Sequence, residues 1–238
     1  MKLFVSLVAV SIFTQASSQI QGLGPMKLGI STVSMIDSIA KANDVDIVES
    51  GSGKRLSATK YKDYMKIFFL RKEEIKKGEF DWQDYQYSID PNVKTYFINK
   101  IDISGVRLSS VYLKFNNGVL YYITCDATKE LTEALDAKYG QGSVRSKEND
   151  VTCRSNIAGE YKLTETTFTT SWATTAPRFS AEYILKKYYD TKCEAQYLSY
   201  FTLKDELIVK QVSSVENSLK DAEEKQAEAR KKEALKDF

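Results

Sequence analysis

The chain has 238 residues, with 34 Lys and Arg against 32 Asp and Glu and a formal charge of +2. Such a balance gives no strong field and argues against a nucleic-acid binder or a membrane-surface binder. Histidine is absent, which removes histidine-activated serine or cysteine nucleophiles, histidine-ligated zinc and a histidine general base. An enzyme built from this chain has to work with carboxylates, lysine, tyrosine or a cysteine activated some other way, and the sequence predicts no cofactor and no metal.

The N-terminus has the three regions of a secretory signal peptide: Met1-Lys2, the apolar run Leu3 to Phe13, and the small polar run Thr14 to Gln19. The apolar run is too short for a bilayer, which takes about 20 residues. Residues 1–18 are therefore read as removed, with the cut before Gln19 or after Ala16, and an exported protein, periplasmic or extracellular, is expected. No later stretch reads as a membrane span.

Cys125, Cys153 and Cys193 in an oxidising compartment predict one disulfide and one free thiol. Cys153 with Cys193 is the favoured pair, since both lie in strand-like runs of the second half, although spacing alone leaves the other pairings open. Cys125 is in phase with Val119, Tyr121 and Ile123 on one strand face. That makes it a small buried hydrophobe, with a reactive thiol as the sharper alternative.

A first α+β unit is expected over residues 19–140. Gly22 to Pro25 is a flexible lead-in, and Met26, Leu28 and Ile30 are spaced as a short strand. Ser31-Thr32 caps a first helix through Met35, Ile36, Ile39 and Ala40. Val45 to Val48 alternates as a strand. Gly51-Ser52-Gly53-Lys54 fails as a phosphate loop, because Val48 and Arg55 stand where a glycine and a Ser or Thr are needed, and it reads as a turn.

Tyr61 to Arg71 and Val93 to Ile103 read as strands. Between them, Phe80, Trp82, Tyr85 and Tyr87 interleave with carboxylates, a pattern that stacks on a sugar or grips a protein partner; an ordinary amphipathic strand is the plainer reading. Asp81 with Asp84 or Glu79 is the pair a carboxylate-based glycan-active enzyme would use. Leu108, Val111, Leu113 and Phe115 lead into Asn116-Asn117-Gly118, and Val119 to Cys125 returns as a hairpin. Thr128 opens a helix with a stripe of Leu131, Ala134, Leu135 and Lys138, stopped at Gly140.

Residues 141–150 are polar and read as a linker. A second, mostly β unit follows over 151–213, with strands at Val151 to Ser155, Tyr161 to Trp172, Phe179 to Tyr189 and Ala195 to Leu203. Lys204-Asp205-Glu206 is expected to turn a last hairpin into Leu207 to Val212. Trp172, before a break at Pro177, is a second candidate binding residue, with a core tryptophan as the equal alternative. Residues 214–238 read as a charged helical tail with few apolar residues, either solvated or a docking arm. The expected fold is α+β, two tandem helix-on-antiparallel-sheet units plus that helix.

The hairpin and helix from Leu113 to Lys138-Tyr139-Gly140, behind a signal peptide, resemble the small helix-plus-sheet domains of exported bacterial proteins. The tandem order is similar in outline to the β-lactamase inhibitory protein, whose two repeats each lay helices on a four-stranded antiparallel sheet. The resemblance is architectural, rests on Leu113 to Gly140 and weakly on the second half, and transfers no site residue. It implies a protein that acts by binding other proteins. The function expected is a non-enzymatic, exported binding or protein-interaction module, with a protein or a glycan as partner; a glycan-active enzyme is the alternative.

Overall fold

The computed structural model describes residues 19–49, 65–70, 88–155, 159–190 and 192–234. The elements run β1 (Gly22–Leu23), β2 (Met26–Lys27), α1 (Ser34–Ala42), β3 (Ile47–Glu49), β4 (Ile67–Leu70), β5 (Val93–Ile103), β6 (Val106–Asn116) and β7 (Val119–Asp126). They continue with α2 (Lys129–Tyr139), β8 (Ser143–Ser155), β9 (Gly159–Trp172), β10 (Phe179–Tyr189), β11 (Ala195–Asp205) and α3 (Glu206–Ala234). The fold is α+β.

One sheet holds nine of these strands in the order β3-β4-β5-β6-β7-β11-β10-β9-β8. Neighbours are antiparallel except β3 and β4. Halves joined only by a linker would keep separate sheets, but here β11 pairs with β7 from Tyr200↔Asp126 to Lys204↔Tyr122 and makes the sheet continuous. The chain leaves β7, crosses as α2 to the far edge at β8, and meanders back.

The β6–β7 turn forms as its sequence demands. Asn117 and Gly118 both have positive φ, 49° and 81°, the pair a tight primed hairpin turn requires. Thr128 caps α2 by accepting the Leu131 N–H at 3.2 Å, and Gly140 closes it at φ 83°. Leu131 and Leu135 are buried against the sheet, while Tyr139 and not Lys138 extends the stripe; Lys138 is exposed.

Four expectations change. The strand over Met26 to Ile30 contracts to the small β1–β2 hairpin, and Ile30 is exposed. Helix α1 starts after Val33 with no side-chain cap, so Ser31-Thr32 does not cap it. Most of the polar stretch 141–150 belongs to β8, an edge strand whose Arg145, Lys147, Glu148 and Asp150 face water; charge there protects a free edge. Leu207 to Val212 is helical: the Asp205 carboxylate accepts the N–H groups of Leu207 at 3.1 Å and Ile208 at 3.4 Å, which is a helix N-cap. The tail and the expected last strand are therefore one helix, α3.

The main core lies on one face, where α1, α2 and the β1–β2 hairpin cover Ile98, Val111, Leu113, Ile123, Phe201 and Leu203. On the other face Phe68, Phe97 and Tyr112 form a small cluster, and α3 docks nearby through Glu216, which accepts the Ser88 hydroxyl at 2.5 Å.

Candidate binding surface

The core face of the sheet runs on beyond its helices. Directly opposed residues in a ladder share a face, and every second residue along a strand returns to it. One row reads Val144, Thr170, Tyr183, Phe201, Cys125 from β8 to β7. Phe201 and Cys125 sit in the core, so the rest of the row faces the same way. The next row reads Ser146, Phe168, Leu185, Ser199, and the one after it Glu148, Thr166, Lys187, Tyr197, with no register shift.

Helix length explains why these rows are open. Eleven residues of α2 make about 16 Å, enough for one end of strands that are 11 to 14 residues long. Beyond it Val144 is 66% exposed, Phe168 45% and Tyr197 71%, with Leu185 and Tyr183 half-buried between them. Phe168, Leu185 and Tyr183 adjoin on this face, with Val144 and Tyr197 diagonal to them and Ser146, Thr170 and Ser199 between; exposed apolar residues grouped on a sheet face and bordered by charge are a common signature of an interaction site.

The face is held firmly. Cys153 and Cys193 are bonded, tying β8 to the β10–β11 turn. Within that turn Asp190 accepts the backbone N–H groups of Glu194 and Lys192, each at 2.9 Å, and the Gln196 amide at 3.1 Å. The Glu194 bond foremost keeps its carboxyl below the usual range. At the border, Lys187 reaches over the Tyr189 ring at 5.3 Å, and its hydrogen bond to that tyrosine raises its pKa.

The opposite face holds further perturbed titratable groups. Burial pulls Lys114 down to about 8 against the opposing pull of Glu216. Burial also raises Tyr121 and, softened by the Ser110 hydrogen bond at 2.8 Å, Asp126. Lys114 lies 5.0 Å from the Tyr122 ring. Lys114 and Tyr121 lie within the electrostatic reach of Glu216 on α3. Among the described residues no group of three or more Cys, Asp or Glu could hold a metal ion.

A cleft of ≈ 490 Å³ lies between α1, the β1–β2 turn and the β5–β6 turn, lined by Pro25, Met35, Ile39, Ala42, Ile101 and Ile103. Its polar rim is spent within the protein: Ser38 bonds the Ser34 carbonyl, Asn43 the Ile39 carbonyl, and Asp102 pairs with Arg107.

Of the sequence-predicted residues, Phe80, Trp82, Tyr85 and Tyr87 lie outside the described residues, as do Glu79, Asp81 and Asp84. Trp172 is not an exposed binding residue. It is buried in the core beside Phe201, ring centroids 6.2 Å apart, and donates its indole N–H to Asp136 of α2 at 3.0 Å. The Cys153–Cys193 pair forms, and Cys125 is buried with its thiol pushed up by desolvation. Sequence reading missed Val144, Tyr183, Leu185 and Tyr197 as one surface with Phe168. The signal was present in Phe168 flanked by Thr166 and Thr170 on one face of a strand, but which face stays open is decided by the reach of α2. No protein-family model, no curated protein and no solved structure matches this chain.

Proposed function

We propose that the chain is an exported, non-enzymatic protein-interaction module of the cell envelope, and that it binds through the open face of β8 to β11. The observation that carries this reading is the continuation of the core face into three uncovered rows that hold Val144, Phe168, Leu185 and Tyr197. Leaving such a face in water forgoes the stabilisation of burial, about 25 cal/mol per Å² of apolar surface, unless a partner supplies it. The Cys153–Cys193 bond supports an oxidising address, in keeping with the apolar segment Leu3 to Phe13 as an export signal. In this reading β3 to β7 and β8 to β11 are two units side by side, sharing one sheet.

The test compares partner capture by the wild-type protein and Phe168→Glu in extracts of the exporting cell. Phe168 is partly exposed and outside the core, so its replacement places a charge in the middle of the face, and the thermal melt reads any cost to the fold. Loss of capture with an unchanged thermal melt supports the reading; equal capture by both proteins contradicts it.

A further inference from the structure

The open face is complementary to itself. Across the row Glu148, Thr166, Lys187, an acid on β8 and a base on β10 flank a neutral residue on β9, each about 4.8 Å from it across the ladder. Consider two copies laid face to face about a two-fold axis that runs along β9, between the sheets. Such an operation exchanges the positions of β8 and β10, so Glu148 of one copy falls opposite Lys187 of the other, twice. The same operation sets Phe168 against Phe168, Val144 over Tyr183 and Ser146 over Leu185. An apolar centre with a rim of matched charges results, in an isologous contact that closes on two copies. Strands of the two sheets then run in nearly the same direction, closing at the Glu148 end and splaying apart toward Trp172, where α2 stands on the same face. Edge-to-edge pairing is disfavoured, because the free edge of β8 is lined with Arg145, Lys147, Glu148 and Asp150.

We infer that the partner of this surface is a second copy of the chain, the protein being a face-to-face homodimer through β8 to β10. The inference rests on the proposed interaction surface and names its occupant. It does not require α3, which lies on the other face of the sheet with Glu216 against Ser88.

Sedimentation velocity on the purified, disulfide-bonded protein over a concentration series is the test. The wild type is expected to dimerise with a concentration-dependent boundary. Phe168→Glu should be a monomer. Glu148→Lys and Lys187→Glu should each weaken association roughly tenfold, since each brings like charges together, and the double reversal should recover most of the loss. Both charged positions lie at the solvent border, so these variants keep the fold even if Phe168→Glu does not. A wild type that stays monomeric at about 100 µM, well above the Kd of a micromolar contact, overturns the dimer. So does a double reversal no stronger than its single parents. If that monomer still captures a foreign protein, and Phe168→Glu does not, the interaction surface stands and only its occupant changes. Capture that Phe168→Glu leaves untouched removes the surface itself.

Discussion

Trp172 on β9 donates its indole N–H to Asp136 on α2 at 3.0 Å, and this bond fixes the crossover helix to the half of the sheet it reaches last. The same Asp136 oxygen also accepts the Gly142 N–H at 3.4 Å, where the chain turns into β8. A Cβ at Gly142 would stand 3.1 Å from the Trp172 ring and 2.5 Å from the Thr170 methyl, so helix, tryptophan and edge strand meet in a small space.

Trp172→Ala should therefore cost about 3 to 5 kcal/mol, the range for emptying a large buried aromatic site. Trp172→Phe keeps most of the packing and removes one hydrogen bond from a part-buried carboxylate, so it should cost less, about 1 to 3 kcal/mol. Urea unfolding of both variants checks the order.

Docking of α3 carries a pH signature. The Lys114 pKa is lowered by burial to about 8 from an ordinary 10.5. Between those values the unfolded chain binds a proton that the folded protein does not, so stability from this group rises as pH rises from about 8 to 10.5 and is flat below. Lys114→Met should flatten this part of the profile and hold stability at or above the wild type at pH 7, because it removes a buried charge whose desolvation outweighs its pairing. Glu216 keeps its bond from Ser88. Unfolding at pH 7 and pH 9.5 for the two proteins reads the difference in slope.

The thiols give a third outcome. Cys125 is 2% exposed and Cys153 is bonded to Cys193, so a thiol reagent should label the native protein slowly and find one thiol per chain after denaturation without reductant. Cys153→Ser with Cys193→Ser should cost about 2 to 4 kcal/mol, with the β10–β11 turn losing protection first in hydrogen exchange.

Asp205 makes the fourth. Its carboxylate caps α3 and pairs with Arg178 at 3.1 Å while only 3% of the side chain is exposed. Asp205→Asn keeps a cap and loses the ion pair, whereas Asp205→Ala loses both. Helix content by circular dichroism should fall in that order, and a helix that ignores both changes would show that its seat on the sheet alone holds it.

Local chemistry was legible wherever a side chain decides the backbone. Asn117-Gly118 fixes its turn, Thr128 and Gly140 bound their helix, and the β-branched and aromatic run Val93 to Ile103 forms β5 over its full length. Elements decided by distant partners were not. Glu206 to Val212 carries apolar residues that suit a strand as well as a helix, and the Asp205 cap tips the choice. Ser143 to Asp150 is polar because it is an edge strand, which in sequence looks like a linker. The β7–β11 pairing that joins the sheet brings Cys125 to Phe201 across a separation no local pattern records. The candidate binding face was hidden for the same reason, since Val144, Phe168, Leu185 and Tyr197 come from four strands and are left open by the length of α2.

The most direct measurement is photo-cross-linking in cells that make the protein, with a photoreactive phenylalanine analogue placed at Phe168 on the open face or at Lys225 on the exposed stretch of α3. The account predicts a strong product from position 168, of twice the chain mass, and little from position 225. A product from position 225 with none from position 168 would contradict it and move the interaction site to the helix.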